Sequence, residues 1–331
     1  MTNTALSLSP RIGVVIIGRN EGQRLVAALR SAGTGSDAVV YVDSGSTDGS
    51  VMAAQQTGAT VVPLDMTKPF SAARARNAGF ATLLEREWEV ELVQFIDGDC
   101  ELNGRWLDTA AAFLSAHPEV ALVCGRRRER FPERSIYNRL CDLEWDTPIG
   151  NTQECGGDFL VRVEPFQQVA GFSERMIAGE EPELCARLRA AGWKIWRLDM
   201  EMTLHDANIL HLWQWWRRAV RCGYAYAALV RLHGNGTDRL RKRHFKSALI
   251  WGGAVPALIA VGTLIYPPFI AAAAVYGLQA LRIGLRGAHK GKDGLLFGAS
   301  VMLGKFAECV GIAKFALARL RGREQPLIEY K

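Results

Sequence analysis

Through the first third of the chain, short runs rich in β-branched residues alternate with segments of helical period. Ile12–Ile17, Ala38–Val42, Ala59–Leu64 and Glu91–Ile96 read as strands. Gly22–Ser31, Gly49–Gln56 and Ser71–Glu87 read as the helices between them. Strands continuous in apolar residues and separated by helices predict βα units on a mostly parallel, Rossmann-like sheet flanked by helices. Further on, Val120–Cys124, Phe159–Val163 and Lys194–Leu198 continue the strand pattern among helical segments, so the same α/β domain extends over residues 11–235. Ala248–Leu281 then runs for 34 residues without a charge, broken only by Pro267-Pro268. A spanning helix needs roughly 20 apolar residues, so two segments meeting at the prolines fit better than one.

Composition sharpens this picture. The chain has 331 residues, 49% of them hydrophobic, enough for a substantial core. Its net charge of +6 is concentrated around Arg239–Lys246, directly before the apolar stretch, with Arg282, Arg286, Lys290 and Lys292 after it. That placement points to a membrane surface rather than nucleic acid. Basic flanks on both sides predict an even number of crossings or a re-entrant hairpin, with the catalytic part at the cytoplasmic face of the inner membrane. Gly294–Leu320 is apolar but carries Lys305, Glu308 and Lys314, and reads as an interfacial helix. The boundaries expected are a tail at 1–10 and two halves of the α/β domain at 11–100 and 101–235. A basic linker at 236–247, membrane-associated helices at 248–321 and a tail at 322–331 follow. The seven cysteines form no CxxC pair and no spacing typical of zinc, which suggests reduced thiols, and the N-terminus has no secretory pattern.

The polar loops after the strands carry the candidate chemistry. Val42-Asp43-Ser44-Gly45-Ser46-Thr47-Asp48 packs more short polar groups than a turn requires, and Asp97-Gly98-Asp99 ends an apolar strand. Two carboxylates one residue apart suit a hard divalent cation, Mg²⁺ or Mn²⁺, or the hydroxyls of a ribose. The plainer explanation of each is a solvated turn. Arg74 and Arg76, in the first turns of the Ser71 helix, suit a diphosphate near free backbone N–H groups, against the usual fate of arginine as a surface charge.

In chain order, Val14–Glu21, Val42–Asp48, Arg74-Ala75-Arg76-Asn77-Ala78-Gly79 and Asp97-Gly98-Asp99 together resemble family 2 glycosyltransferases of the GT-A fold, over about residues 10–210. The resemblance implies an inverting enzyme using a nucleoside diphosphate sugar, UDP-linked in the first instance, with a lipid-linked or glycan acceptor. It implies donor contacts from Asn20, Glu21, Asp43, Ser44, Gly45, Ser46, Asp48, Arg74, Arg76, Asn77 and Asp97, with Asp43 reading the base. It makes Asp99 the direct metal ligand, with His205 of Leu204-His205-Asp206 able to complete the metal site. Gly156-Gly157-Asp158 resembles the family's acceptor-side strand.

Gly179-Glu180-Glu181-Pro182-Glu183-Leu184 resembles its Gly-Glu-Asp-x-Asp-Leu segment, where the catalytic base lies, but Glu181 replaces Asp and Pro182 follows. Either Glu180 or Glu181 could be that base, and three glutamates could equally serve a helix N-terminus. Gln214-Trp215-Trp216-Arg217-Arg218 departs from the Gln-x-x-Arg-Trp of processive members, which weighs against polymer synthesis; Trp213 and Trp216 share a helix face suited to a membrane interface. Three other functions are weighed: a dinucleotide-dependent oxidoreductase, which Gly13, Gly18 and Gly22 fail to support because they form no GxGxxG; a nucleotidyltransferase; and an inactive membrane-bound glycan scaffold.

Overall fold

A computed structural model describes residues 10–86, 88–233, 239–287 and 291–322. The expected tails, apart from residues 10 and 322, and residues 236–238 of the expected linker lie outside the described residues. In chain order the first elements are β1 (Ile12–Gly18), α1 (Gln23–Ala32), β2 (Ala38–Asp43), α2 (Ser50–Gln56), β3 (Thr60–Pro63), α3 (Ala72–Glu85) and β4 (Leu92–Asp97). Then come β5 (Cys100–Leu102), α4 (Trp106–Ala116), β6 (Val120–Glu129), α5 (Ile136–Glu144), β7 (Gly150–Asn151), β8 (Phe159–Arg162) and α6 (Val163–Gln168). The remainder is α7 (Glu180–Ala190), β9 (Lys194–His205), α8 (Leu212–His233), α9 (Arg239–Leu249), α10 (Val255–Ile265), α11 (Ala274–Arg286) and α12 (Gly291–Leu320).

The chain divides into two compact units. The first comprises residues 1–128, 147–174 and 180–206, and holds the sheet, ordered β3-β2-β1-β4-β8-β6-β9-β5 with β7 on β9. β1 to β4 pair in parallel, whereas β8 is antiparallel to both β4 and β6, and β5 and β7 are antiparallel to β9. The sheet is therefore mixed: parallel across β3-β2-β1-β4 only, not mostly parallel throughout. A run such as Phe159–Arg162 is apolar in either direction, so the sequence does not disclose its polarity.

β1 and β2 are buried on both faces, as their apolar continuity requires. Gly79 lets α3 lie flush on them, because a Cβ there would meet Val15 Cγ1 at 2.4 Å. Beneath β4 and β8, Phe95, Phe159, Phe166 and Phe172 form an aromatic cluster with centroids 5.3–6.1 Å apart. Gln94 is the polar exception in β4 and is satisfied by Trp106 Nε1 at 2.7 Å. The result is a rigid platform whose parallel strands end at Gly18, Asp43 and Asp97.

The second unit comprises residues 129–146, 175–179 and 207–331. It takes in α8, so its edge does not follow the boundary expected at 235, and much of the expected basic linker is helix α9. α8 packs on α12 through glycine: a Cβ on Gly223 would lie 1.9 Å from Glu308 O, and one on Gly311 2.0 Å from Val220 O. α9 and α10 are joined by a π-helical turn, Ile250–Ala254, just before Pro256, which has no N–H to continue the regular ladder. The helix stops at Tyr266, where Pro267-Pro268 opens a 3₁₀ segment, Pro267–Ala273, as the sequence anticipates.

Among the described residues, three helical stretches are long and apolar enough to cross a membrane: Lys242–Ile265, Pro267–Arg286 and Gly291–Leu320. The first two are only 11% and 6% buried within the protein, so their apolar side chains face outward. The segment expected as an interfacial helix, Gly294–Leu320, lies within the 30-residue α12. Lys305 pairs with Glu308 at 2.7 Å and is 6% exposed, so these two charges neutralise each other inside the unit rather than demanding water. In α8, Trp213 is exposed beneath the Arg217 guanidinium, while Trp215 is buried with Cys141, Ala207 and Ile209 and Trp216 is partly buried beside them. Gln214 accepts from the N–H groups of Leu210 and His211 and thereby fixes the start of the helix.

Candidate active site

The loop after β2 is built around Asp43. Its Oδ2 accepts from the Gly45 and Ser46 N–H groups, each at 3.0 Å, and its Oδ1 accepts from the Tyr41 hydroxyl at 2.9 Å. Gly45 supplies the positive φ of 84° that bends the chain over this carboxylate. The loop after β1 is laced to it: Asn20 N donates to Ser46 Oγ at 3.0 Å, and Thr47 N donates to Asn20 Oδ1 at 2.7 Å. Asp48 accepts from Ser50 N, and bonding to Ser50 holds its carboxyl below the usual range. Glu21 is tied to Arg24 at 2.7 Å and lies against Gly98, whose missing Cβ would sit 3.2 Å from Glu21 Cγ. The polar density of the opening loops thus forms two interlocked turns at the carboxyl edge of β1 and β2, with Ser44 buried at their base.

α3 directs its polar residues differently from the sequence expectation. Arg74 is half-buried and donates to the carbonyls of Asp65, Lys68 and Pro69, pinning the loop before its own helix. Arg76 is buried, with Nη1 on Glu180 Oε1 and Nη2 on Asp97 Oδ1, both at 2.7 Å. Burial opposes its charge, yet the Asp97 and Glu180 carboxylates outweigh that and hold it protonated. Asn77 clamps Phe172, donating to its carbonyl at 2.9 Å and accepting its N–H at 3.0 Å. Arg74 and Arg76, expected on a diphosphate, and Asn77, expected on the donor, all have protein partners in this structure.

Asp97 and Asp99 diverge. Asp97 is the part-exposed partner of Arg76, and its backbone N–H donates to Asp158 Oδ1. Asp158 is fully buried, bonding Arg127 at 2.7 Å and Thr203 at 2.9 Å, so this residue, expected on the acceptor side, braces the strand ends. Gly157 is required beside it, because a Cβ would come within 2.9 Å of Arg76 Nη2. Asp99 faces His205 across the β5–β9 pair, with Oδ2 3.3 Å from Nε2, and both are buried. The next residue, Asp206, has a buried Oδ1 with no hydrogen-bond partner among the described residues. The Asp99 carboxylate, the His205 imidazole and the Cys100 thiol converge here, with ligand atoms within 4.8 Å of one another, and the carboxylate and imidazole fit a divalent cation that keeps several waters.

Glu180 and Glu181, at the start of α7, are separated by their partners. Glu180 belongs to Arg76. Glu181 Oε1 accepts from Cys155 N at 2.7 Å and from the thiols of Cys155 and Cys185 at 3.1 and 3.0 Å. Burial raises the Glu181 carboxyl above its ordinary range, partly offset by these hydrogen bonds. Sequence reading passed over Cys155, Cys185 and Arg127. β6 is buried on both faces over Val120–Gly125, so its pattern does not separate Arg127 from the neighbouring arginines.

A mixed sheet whose loops gather aspartates at the carboxyl ends of parallel strands, with a carboxylate-bearing helix opposite, defines a nucleotide-sugar-transferase type of fold. Residues 13–166 match the model of glycosyl transferase family 2. It is 27% identical over 204 residues to the pre-mycofactocin glycosyltransferase of Mycobacterium tuberculosis, covering 58% of this chain and 40% of that protein. Over 111 residues it is 32% identical to an uncharacterized glycosyltransferase of Rickettsia conorii, covering 34% and 36% of the two chains. The matched region is thus well under half the length of each of these relatives. The fold is shared with the mannosyltransferase PcManGT of Pyrobaculum calidifontis, solved in complex with GDP-Man and Mn²⁺, at TM-score 0.63 and 20% identity over 96% of this chain and 89% of that one. It is shared too with residues 1–349 of S. aureus TarS, at TM-score 0.52 and 14% identity over 95% and 92%.

Proposed function

We propose that the protein is an inverting glycosyltransferase that moves a sugar from a nucleoside diphosphate donor, UDP-linked in the first instance, to a hydroxyl of a lipid-linked or glycan acceptor. The observation that carries this reading is the buried pairing of Asp99 with His205, just beyond the strand end at Asp97 that pairs with β1. Asn20, Ser44, Gly45, Ser46 and Asp48 would form the nucleotide cradle, with Asp43 fixing its shape and free lone pairs on that carboxylate turned to the base. Asp97, part exposed and held by Arg76, would meet the ribose. Asp99 and His205 would hold Mg²⁺ or Mn²⁺, which when bound neutralises charge developing on the departing diphosphate.

Glu181 is assigned as the base and Glu180 as the residue that positions Arg76. A carboxylate paired with a guanidinium is a weakened proton acceptor, whereas burial makes Glu181 a stronger one. Glu181 also adjoins Gly156-Gly157, the acceptor-side turn. In a single displacement, Glu181 takes the acceptor's hydroxyl proton as that oxygen attacks the anomeric carbon, and the bond to the diphosphate oxygen breaks. The three apolar helical stretches support a membrane-bound enzyme with a lipid-linked acceptor at the cytoplasmic face.

The test is nucleoside diphosphate release by the detergent-purified protein from UDP-, GDP- and TDP-sugars, with Mn²⁺, Mg²⁺ or EDTA and membrane lipid extract. Release of one diphosphate that needs both cation and extract is expected. Pyrophosphate release would instead indicate nucleotidyl transfer, and release insensitive to EDTA would remove the cation from the account.

A further inference from the structure

Cys155, Cys185 and Glu181 form a second cluster of metal-ligating groups, on the opposite side of the α7 N-terminus from Arg76. Cys155 comes from the loop before β8 and Cys185 from the second turn of α7, thirty residues apart in the chain, so no sequence spacing announces them. Their sulfurs are 3.9 Å apart, and each lies 3.0–3.1 Å from Glu181 Oε1. A tetrahedral zinc ion with bonds of about 2.3 Å to sulfur sets two sulfurs about 3.8 Å apart. The same geometry puts sulfur and oxygen about 3.6 Å apart, so the carboxylate need withdraw only about half an ångström. Cys124 adjoins the Cys155 thiol, adding a third sulfur nearby. Access is available: Cys155 is part exposed, and the space around a Cβ on Gly156 is open to 4 Å.

We propose that Cys155, Cys185 and Glu181 bind a soft divalent cation, zinc foremost, and that its binding occupies the Glu181 carboxylate and arrests transfer. The inhibitory half of this rests on Glu181 being the base. Thiolates favour zinc over Mg²⁺ or Mn²⁺, whereas the Asp99 carboxylate offers the oxygen donors that hard cations prefer, so two thiols at the Glu181 cluster bias that site toward zinc. On binding, the two thiol protons pass to solvent as two sulfur–zinc bonds form, and the carboxylate lone pair that would accept the acceptor's proton is held by the ion.

The experiment titrates the chelator-treated, detergent-purified full chain with Co²⁺ in excess Mg²⁺, following the near-ultraviolet thiolate-to-cobalt charge-transfer band. Sugar transfer is then measured with and without Zn²⁺. One Co²⁺ per chain, displaced by Zn²⁺, and a reversible tenfold or greater loss of transfer are expected. In Cys155→Ser and Cys185→Ser the band should vanish, and zinc should change each variant's rate less than twofold relative to its own zinc-free rate. Absence of a band in the wild type, or a band that survives both substitutions, would overturn the site. A band without inhibition would overturn its link to transfer. Normal transfer by Glu181→Gln would refute the base assignment separately, because the band reads the thiolates without turnover.

Discussion

Replacing Arg76 with Met keeps the buried stem of the side chain and removes the cation that Asp97 and Glu180 share. Breaking a buried ion pair from one side costs about 3–5 kcal/mol, because the remaining charge is left uncompensated. Asp97 is 31% exposed and can turn to water, so the penalty falls mainly on Glu180, whose side chain is 12% exposed. That places the loss at the lower end, about 3 kcal/mol. With each kcal/mol moving the midpoint by about 2–4 °C in domains of roughly 150–250 residues, the unfolding midpoint should fall by about 6–12 °C. Scanning fluorimetry of the detergent-purified protein measures it. The companion variant Arg76→Met/Glu180→Gln removes the stranded charge and should recover about half of the loss. A fall of under about 2 °C, or a double variant no more stable than the single one, would refute the view that Arg76 is a structural cation rather than a phosphate ligand.

Other consequences follow from the same geometry. Asp99→Asn should lower transfer by about 10²–10³-fold and abolish Mn²⁺ binding seen by electron paramagnetic resonance, without moving the unfolding midpoint by more than about 2 °C. Burial raises the folded-state Glu181 carboxyl above its unfolded value, so the ionised base opposes folding and stability rises as pH falls through the folded value. Glu181→Gln should therefore melt no lower than the wild type at pH 8 while losing transfer. The acid limb of the wild-type rate profile should lie above the value of about 4.3 ordinary for glutamate. Gly311→Leu must push α8 and α12 apart, since even a Cβ would lie 2.0 Å from Val220 O; a loss of several kcal/mol, seen as reduced folded yield in detergent, is expected.

The parallel half was legible because its strands are buried on both faces and bounded by polar loops, leaving little choice of element type or order. The antiparallel half was not, because Phe159–Arg162 acquires its direction from long-range pairing with β4 and β6. At the site, residue type located the chemistry but not the partners. Arg74, Arg76, Asn77 and Asp158 are the kinds of group a donor or acceptor needs, yet three of them hold loops or strand ends and Arg76 neutralises two carboxylates. Which side of α3 faces inward is set by Gly79 packing on Val15, a tertiary fact. The choice between Glu180 and Glu181 likewise depends on which one Arg76 reaches. Lys305 and Glu308 gave no sign in the sequence that they would pair with each other at 2.7 Å, since the pairing depends on both being buried.

The central claim is tested most directly by nucleoside diphosphate release from wild type, Glu180→Gln, Glu181→Gln and Asp99→Asn, measured side by side with the productive donor, Mn²⁺ and acceptor extract. Near-complete loss in Glu181→Gln and Asp99→Asn, with a smaller loss in Glu180→Gln accompanied by lower stability, is the predicted result. Undiminished release by Glu181→Gln, or by Asp99→Asn in the presence of chelator, would contradict the account.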